Sequence, residues 1–400
     1  MKTFIEGSRA VADAVTVCRP KVISAYPITP QTHIVEELAK IVANGKVKAE
    51  FVNVESEFSA ASVVLGSCAT GARSYTATTS QGLFLMGEVL YNISGMRLPI
   101  VMTCANRAVS APINIWNDQQ DSLSMRDSGW IQLYAEDNQE ALDMHLQAYK
   151  IGENKGVLLP VMVCMDGFIL THSYEPVELI SQEDADRFLP SYQPDDYLNP
   201  ENPVTMGAMV GPEAYMETRY LMQEAMENSV KVIEDVANEF NNQFGRYYGG
   251  LIDTYKMEDA ETVIVALGSV LGTIKDAVDS LREKGEKVGV LKIRTFRPFP
   301  KDAICEALKG AKKVHVLEKA VSIGMGGIVS SEIKAAFCGK TGAPEIIGSI
   351  CGLGGRDITV ETIIGIVNGS GDSSYDQFID IKKELVEDPE PSDEAVTANA

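Results

Sequence analysis

Short apolar runs recur along the first 170 or so residues, separated by amphipathic stretches. The runs at 21–25, 49–54, 73–78, 99–104, 131–135 and 157–165 have strand length and are rich in Val, Ile and other apolar residues. Between them, 57–66, 82–93 and 138–151 carry apolar positions at helical spacing, as do Ile34, Val35, Leu38 and Ile41. Strands alternating with helices predict an α/β fold, a parallel sheet with helices on both faces. The turn-rich stretch 109–130 interrupts the rhythm, and a loop of that length in a compact domain is usually functional.

Residues 183–211, rich in Pro, Asp and Asn, read as a connection, and Pro212 opens a long helical stretch ending near Gly245. A second alternation follows from Glu261: strands at 262–267, 287–293 and 314–317, and helices at 273–284, 303–308 and 328–337. The last residues are acidic and proline-bearing, a disordered composition. The chain divides accordingly into 1–182, a connecting segment 183–258, a second α/β unit 259–386 and a tail 387–400.

Four hundred residues exceed a typical single core, in keeping with two units. A net charge of −21 argues against nucleic acid or an anionic membrane as partner. No apolar run reaches the roughly 18 residues that span a bilayer, and no signal-peptide core follows Lys2, so a cytoplasmic location is expected. The seven cysteines are scattered without a C-x-x-C pair, which implies reduced thiols and no iron–sulfur cluster on this chain. His33, His145, His172 and His315 are far apart in sequence and make no metal spacing, so no metal site is expected here.

Four segments carry candidate chemistry. In Tyr26-Pro27-Ile28-Thr29-Pro30 a strand ends, with Thr29 placed as a helix N-cap and Pro30 at the first helical position. Ligands collect at such strand-to-helix junctions in open α/β sheets, although these residues alone describe only a capped connection. The others are Asn53-Val54-Glu55-Ser56-Glu57-Phe58-Ser59-Ala60-Ala61, Thr79-Ser80-Gln81-Gly82, and the strand from Leu98 running into Arg107. By residue type alone Glu55 and Glu57 compete, and either could be a carboxylate stabilising a helix start. Arg107 alone reads as an ordinary surface arginine, and Ser80 as an N-cap.

Together the four segments resemble the pyrimidine-binding domain of the thiamine diphosphate-dependent 2-oxoacid:ferredoxin oxidoreductases, and most closely the alpha subunit of the multi-subunit pyruvate enzymes. Arg294-Thr295-Phe296-Arg297-Pro298-Phe299-Pro300 and its surroundings resemble the transketolase carboxyl-terminal domain. The resemblance implies that Glu57 hydrogen-bonds the thiamine ring nitrogen N1′. It gives Arg107 and Thr29 contact with a 2-oxoacid, with threonine favouring pyruvate, and sets Pro27, Ser80 and Gln81 around the cofactor. Gly371-Asp372-Ser373 lacks the second glycine of the magnesium motif, and the glycines at 324–327 and 352–355 do not form G-x-G-x-x-G. The resemblance therefore implies shared binding of thiamine diphosphate, with Mg2+ and diphosphate contacts on a beta subunit. It also implies 4Fe–4S clusters in partner chains, among them a gamma and a ferredoxin-like delta subunit. The implied reaction is oxidative decarboxylation of pyruvate with coenzyme A to acetyl-CoA and CO2, electrons passing to ferredoxin. The alternatives are the same chemistry on another 2-oxoacid, or a non-catalytic scaffold.

Overall fold

The computed structural model describes residues 2–369 and 374–387. The first elements are β1 (Lys2–Glu6), α1 (Gly7–Cys18), β2 (Val22–Ser24), α2 (Thr32–Ala43), β3 (Glu50–Val52), α3 (Glu57–Ala69) and β4 (Ser74–Thr78). Next come α4 (Ser80–Leu85), α5 (Gly87–Gly95), β5 (Val101–Asn106), α6 (Gln120–Ser124), β6 (Ile131–Tyr134), α7 (Asn138–Gly152), β7 (Val161–Asp166) and β8 (Tyr174–Glu178). A short α8 (Gln182–Phe188) opens the connection, and the long α9 (Tyr215–Phe244) ends on Gly245, which takes the left-handed conformation that a helix C-terminus favours.

The second half contains β9 (Ile252–Tyr255), β10 (Thr262–Ala266), α10 (Val270–Glu283), β11 (Val288–Ile293), β12 (Thr295–Arg297) and α11 (Lys301–Ala307). It continues with β13 (Lys313–Glu318), α12 (Ile328–Phe337), β14 (Glu345–Ile350), α13 (Val360–Asn368), β15 (Gln377–Phe378) and α14 (Glu384–Glu387). Asp372 and most of the acidic tail lie outside the described residues.

Among the described residues a seven-stranded sheet runs β12-β6-β7-β5-β4-β2-β3 and a six-stranded one β15-β14-β13-β10-β11-β9. All pairs in the first are parallel except β12 with β6. The alternation predicted this. Sheet membership does not follow chain position, however: β12 from the second half closes the first sheet's edge, and β9 from the connecting segment pairs antiparallel with β11. Arg294 explains the crossing. It is fully buried and donates to Glu140 on α7 at 3.0 Å and to Gln147 at 2.9 Å. Glu140 also takes Lys292 at 2.7 Å, while Asp143 takes Arg246 and the Tyr248 hydroxyl. The polar stripe of α7 is thus covered by the second half of the chain.

One apolar cluster packs α1, α7 and α9 on the first sheet. A second runs without a break from Leu83, Met102 and Cys164 to Val265, Leu291 and Val316, joining the two sheets through a shared core. The predicted helix 82–93 is two helices, broken at Met86.

Candidate active site

The site is built on four chain segments at the carboxyl ends of β2, β3, β4 and β5. Ser80, the first residue of α4, has φ +48°, unusual for a residue with a side chain. Its amide donates to Asp121 Oδ2 at 2.9 Å and its hydroxyl to the Ala108 carbonyl at 2.5 Å. Contrary to the capping reading, that hydroxyl does not cap α4. Asp121 is completely buried and also accepts the Arg107 amide at 3.0 Å, the Ser122 amide at 2.7 Å and Asn106 Nδ2 at 2.8 Å. Burial raises its pKa even against those bonds. Sequence reading placed Asp121 only within a turn-rich loop, because its partners come from strand ends 14 and 41 positions away.

Arg107 is 6% exposed. It donates from Nη1 to the Thr29 carbonyl at 2.7 Å and from Nη2 to Gln81 Oε1 at 2.8 Å. Desolvation lowers its pKa from the usual arginine value. Two of five N–H donors are used, and Nε has no partner.

Thr29 is not a helix N-cap. Helix α2 starts three residues later, after Gln31, with no side-chain cap. The loop is held otherwise: buried Gln31 donates to the Ala77 carbonyl at 2.6 Å and accepts the Ile28 amide at 3.2 Å. Pro30 sits where a side chain at Gly167 would collide with it, 2.6 Å from the added Cβ. Pro27 and the Thr29 side chain stay exposed.

The two competing glutamates separate cleanly. Ser56 caps α3, accepting the Ser59 amide at 3.2 Å, so no carboxylate is needed there. Glu55 is exposed and bonded to the Ser59 hydroxyl at 2.5 Å. Glu57 is buried, 7% exposed, and its carboxylate receives no hydrogen bond among the described residues. It lies against Gly82, where an added Cβ would stand 2.7 Å from Glu57 Oε1 and 2.6 Å from Thr78 Oγ1. Thr78 Oγ1 and Gln81 Nε2 nearby are buried without partners among the described residues. Segment 79–82 therefore links the sequence-predicted residues: Gln81 touches Arg107, Arg107 touches Thr29, and Gly82 faces Glu57.

The loop 114–126, inside the turn-rich stretch expected to be functional, is fastened to the second half of the chain. Asn114 Nδ2 donates to the Gly354 carbonyl at 3.1 Å, Lys319 Nζ to Asn117 Oδ1 at 2.9 Å, and the Gln119 amide to the Lys319 carbonyl at 2.8 Å. It walls a cavity of about 510 Å³ between the halves, with Trp116, Phe168, Ser269, Lys319 and Arg356 in its lining. Glu57 and Arg107 are outside that cavity.

The histidines require a correction. His33 and His172 are not far apart: folding stacks their rings at 4.5 Å between centroids and brings Glu6 to them. Sequence spacing hides this because the three residues come from β1, α2 and the turn after β7.

The chain is similar in sequence and fold to known proteins. The family model "Pyruvate flavodoxin/ferredoxin oxidoreductase, thiamine diP-bdg" matches residues 13–238, and "Pyruvate:ferredoxin oxidoreductase core domain II" matches 260–363. Pyruvate synthase subunit PorA of Methanosarcina barkeri is 55% identical over 390 residues, 96% of this chain and 97% of that protein. Ketoisovalerate oxidoreductase subunit VorA of Pyrococcus horikoshii is 46% identical over 367 residues, covering 92% and 93%. The fold matches a 2-oxoglutarate:ferredoxin oxidoreductase from Magnetococcus marinus with TM-score 0.68 at 22% identity, over 92% of this chain and 64% of that one. It also matches a split-gene transketolase with TM-score 0.54 at 14% identity, over 91% and 97%. By these matches the chain belongs to the thiamine diphosphate-binding pyruvate flavodoxin/ferredoxin oxidoreductase family.

Proposed function

We propose that the chain is the alpha subunit of a multi-subunit pyruvate:ferredoxin oxidoreductase. The complex decarboxylates pyruvate oxidatively with coenzyme A, forms acetyl-CoA and CO2, and passes the electrons to ferredoxin. One observation carries the assignment of the site: a buried carboxylate, Glu57, without a donor among the described residues, beside the Gln81–Arg107–Thr29 link. The residues fit the pyrimidine half of thiamine diphosphate. A ring nitrogen can satisfy Glu57, and Gly82 keeps clear the volume that a Cβ would fill. When bound, that cofactor supplies the nucleophilic carbon that adds to a 2-oxo group and takes up the electron pair freed by loss of CO2.

The chain's own residues do the rest. Glu57 shares a proton with the ring and sets which ring nitrogen can act as base. Arg107 keeps three N–H donors for the substrate carboxylate, a charge-assisted pairing. Its bonds to Thr29 and Gln81 fix its orientation before substrate arrives. The exposed Thr29 hydroxyl, without a partner among the described residues, lies beside it, and Pro27 shapes the same loop. Ser80 and Gln81 hold the turn under the cofactor.

Tyr26, Phe58 and Leu85 are exposed on the same three segments as Thr29, Glu57 and Gln81. Such apolar exposure around an incomplete polar site fits cover by another chain. The proposed cover is a beta subunit holding the diphosphate and Mg2+, with 4Fe–4S clusters on further subunits of gamma and ferredoxin-like delta type. No helix among the described residues is long and apolar enough to cross a membrane, which fits the proposed cytoplasmic setting.

The relative named for ketoisovalerate, at 46% identity, supports a second reading with a branched 2-oxoacid as substrate. Turnover of the purified complex on a panel of 2-oxoacids separates the two. Pyruvate gives the highest kcat/KM under the first reading, and a branched acid outranking it would replace that reading.

A further inference from the structure

Glu6, His33 and His172 form the one group of three His, Cys, Asp or Glu side chains among the described residues whose ligand atoms all lie within 4.8 Å of one another. Glu6 ends β1, His33 stands in the first turn of α2, and His172 lies in the turn between β7 and β8. His33 Nδ1 is 2.6 Å from Glu6 Oε1. His172 Nδ1 is 2.7 Å from Thr171 Oγ1, which also accepts the Phe168 amide at 2.8 Å.

Each Nδ1 therefore faces an oxygen, the Glu6 carboxylate for His33 and the Thr171 hydroxyl, able to donate or accept, for His172. A neutral imidazole keeps a lone pair on the ring nitrogen that does not carry its proton, and that nitrogen can take a metal. The Thr171 hydroxyl can hold the His172 ring in place, as an outer oxygen does for a metal-binding histidine. The bland alternative is a surface Glu–His ion pair with a second ring stacked on it. Two features weigh against it. His33 is the only ion-pair partner of Glu6 among the described residues, so no lysine or arginine competes for the carboxylate. Two imidazoles stacked at 4.5 Å would also repel each other if both were protonated, which favours neutral rings whose in-plane lone pairs can take a metal.

We propose that Glu6, His33 and His172 bind a divalent cation of the Zn2+ class, two imidazole nitrogens and one carboxylate oxygen closing around it and water completing the shell. The N2O donor set selects borderline transition metals over Mg2+ and Ca2+, which take oxygen ligands. Tetrahedral coordination needs ligand atoms roughly 3.3 Å apart, from bonds of about 2.0–2.1 Å. The half-exposed His33 side chain has room to swing and close the remaining gap. The cation is structural. His33 follows Thr29 by four residues, and the His172 ring stacks on Phe168 at 4.8 Å, which in turn meets Trp116 at 4.6 Å. A metal there ties the start of α2, and with it the Thr29 loop, to β1 and to the turn that carries the aromatic row.

The test uses the purified full chain, stripped of metal and with its thiols alkylated so that the seven cysteines cannot compete. Zn2+ is titrated against a chromophoric chelator, and Co2+ is followed by its visible d–d bands. One equivalent binds with micromolar or tighter affinity and raises the thermal midpoint. His33→Ala and His172→Ala each weaken binding by about 10–100-fold and Glu6→Gln by about tenfold, while circular dichroism stays native because the cluster sits at the surface. Absence of saturable binding to the wild-type chain, or a His33→Ala/His172→Ala double variant that binds as tightly, overturns the proposal. So does a Co2+ spectrum that the variants leave unchanged.

Discussion

The two sheets treat their carboxyl edges differently. At the second sheet the starts of α10 and α12 are filled by the chain's own carboxylates. Glu318, ending β13, accepts the Val329 amide at 2.8 Å and the Ser330 amide at 3.0 Å at the start of α12. Asp166 reaches across from β7 to accept the Ser269 amide at 3.0 Å at the start of α10, and Lys319 joins it at 2.9 Å. At the first sheet Asp121 fills the start of α4 in the same way, but α3 is capped by a serine and Glu57 is left over. Carboxylates thus meet the amides of α10, α12 and α4, whereas at α3 the Ser56 hydroxyl takes that duty and leaves Glu57 over. Helix amides and partial positive charge make the position attractive to anions in both cases, and local side chains decide whether the protein or a ligand satisfies it.

The largest effect should come from the first sheet's edge. Glu57→Gln in the assembled complex lowers pyruvate turnover by about 100-fold or more, the scale of lost acid–base assistance, with subunit composition unchanged by gel filtration. Near-normal turnover in an intact complex would mean that the first sheet's edge is as inert as the second's. Arg107→Lys keeps the charge but loses the planar fork. It should cost about 10–100-fold in kcat/KM for pyruvate, in line with a lost charge-assisted bond of about 1.5–3 kcal/mol.

The sheets also differ in how they answer pH. His145, buried under the first sheet between the Thr103 hydroxyl and the Ala141 carbonyl, is pushed down to about 4 by desolvation. The unfolded chain takes up that proton first, so this contribution is whole above pH 6.5 and is lost as pH falls towards 4. Glu318 is pushed up to about 7 by burial, against its two amide bonds. There the folded state holds the proton, so the contribution is whole below pH 4.5 and is lost as pH rises towards 7. Urea unfolding from pH 4 to 8 should show His145→Gln flattening a rise and Glu318→Gln flattening a fall, each of roughly 3 kcal/mol. Identical pH profiles for both variants would remove this difference between the sheets.

The smallest effects come from paired glycines. Gly82→Ala forces a Cβ against Glu57 Oε1 and Thr78 Oγ1 and should destabilise by about 1–3 kcal/mol and weaken cofactor affinity. Gly272 in α10 has nothing within 4 Å of its added Cβ, so Gly272→Ala should stabilise by about 0.5–1 kcal/mol, read as a shift in the urea midpoint.

Much of the fold was legible along the chain. The period of apolar residues located the central strands of both sheets, and α12 falls on the predicted 328–337. Shorter elements were not visible. β12 has three residues and no pattern of its own; it exists because Arg294 needs Glu140 and because Phe296 packs edge-on against Tyr134 at 6.3 Å. At the site the motif residues were legible as types but their duties were not. Thr29 and Ser80 look like caps locally, yet the Thr29 carbonyl meets Arg107 and the Ser80 hydroxyl meets the Ala108 carbonyl. Local capping loses wherever a long-range partner satisfies the same group in a drier place.

By itself the sequence determined the α/β alternation, the four strand-end segments and, through their combined resemblance, the family. Only the tertiary structure buried Glu57 and left Glu55 exposed, made Asp121 the hub that holds Ser80 to Arg107, and assembled Glu6 with His33 and His172. The reason is physical. Hydrophobic periodicity is a local property that survives in one dimension. The burial of a carboxylate, the hydrogen bonds it lacks and the cations it meets depend on residues distant in sequence that only the packed chain brings within 3 Å or so.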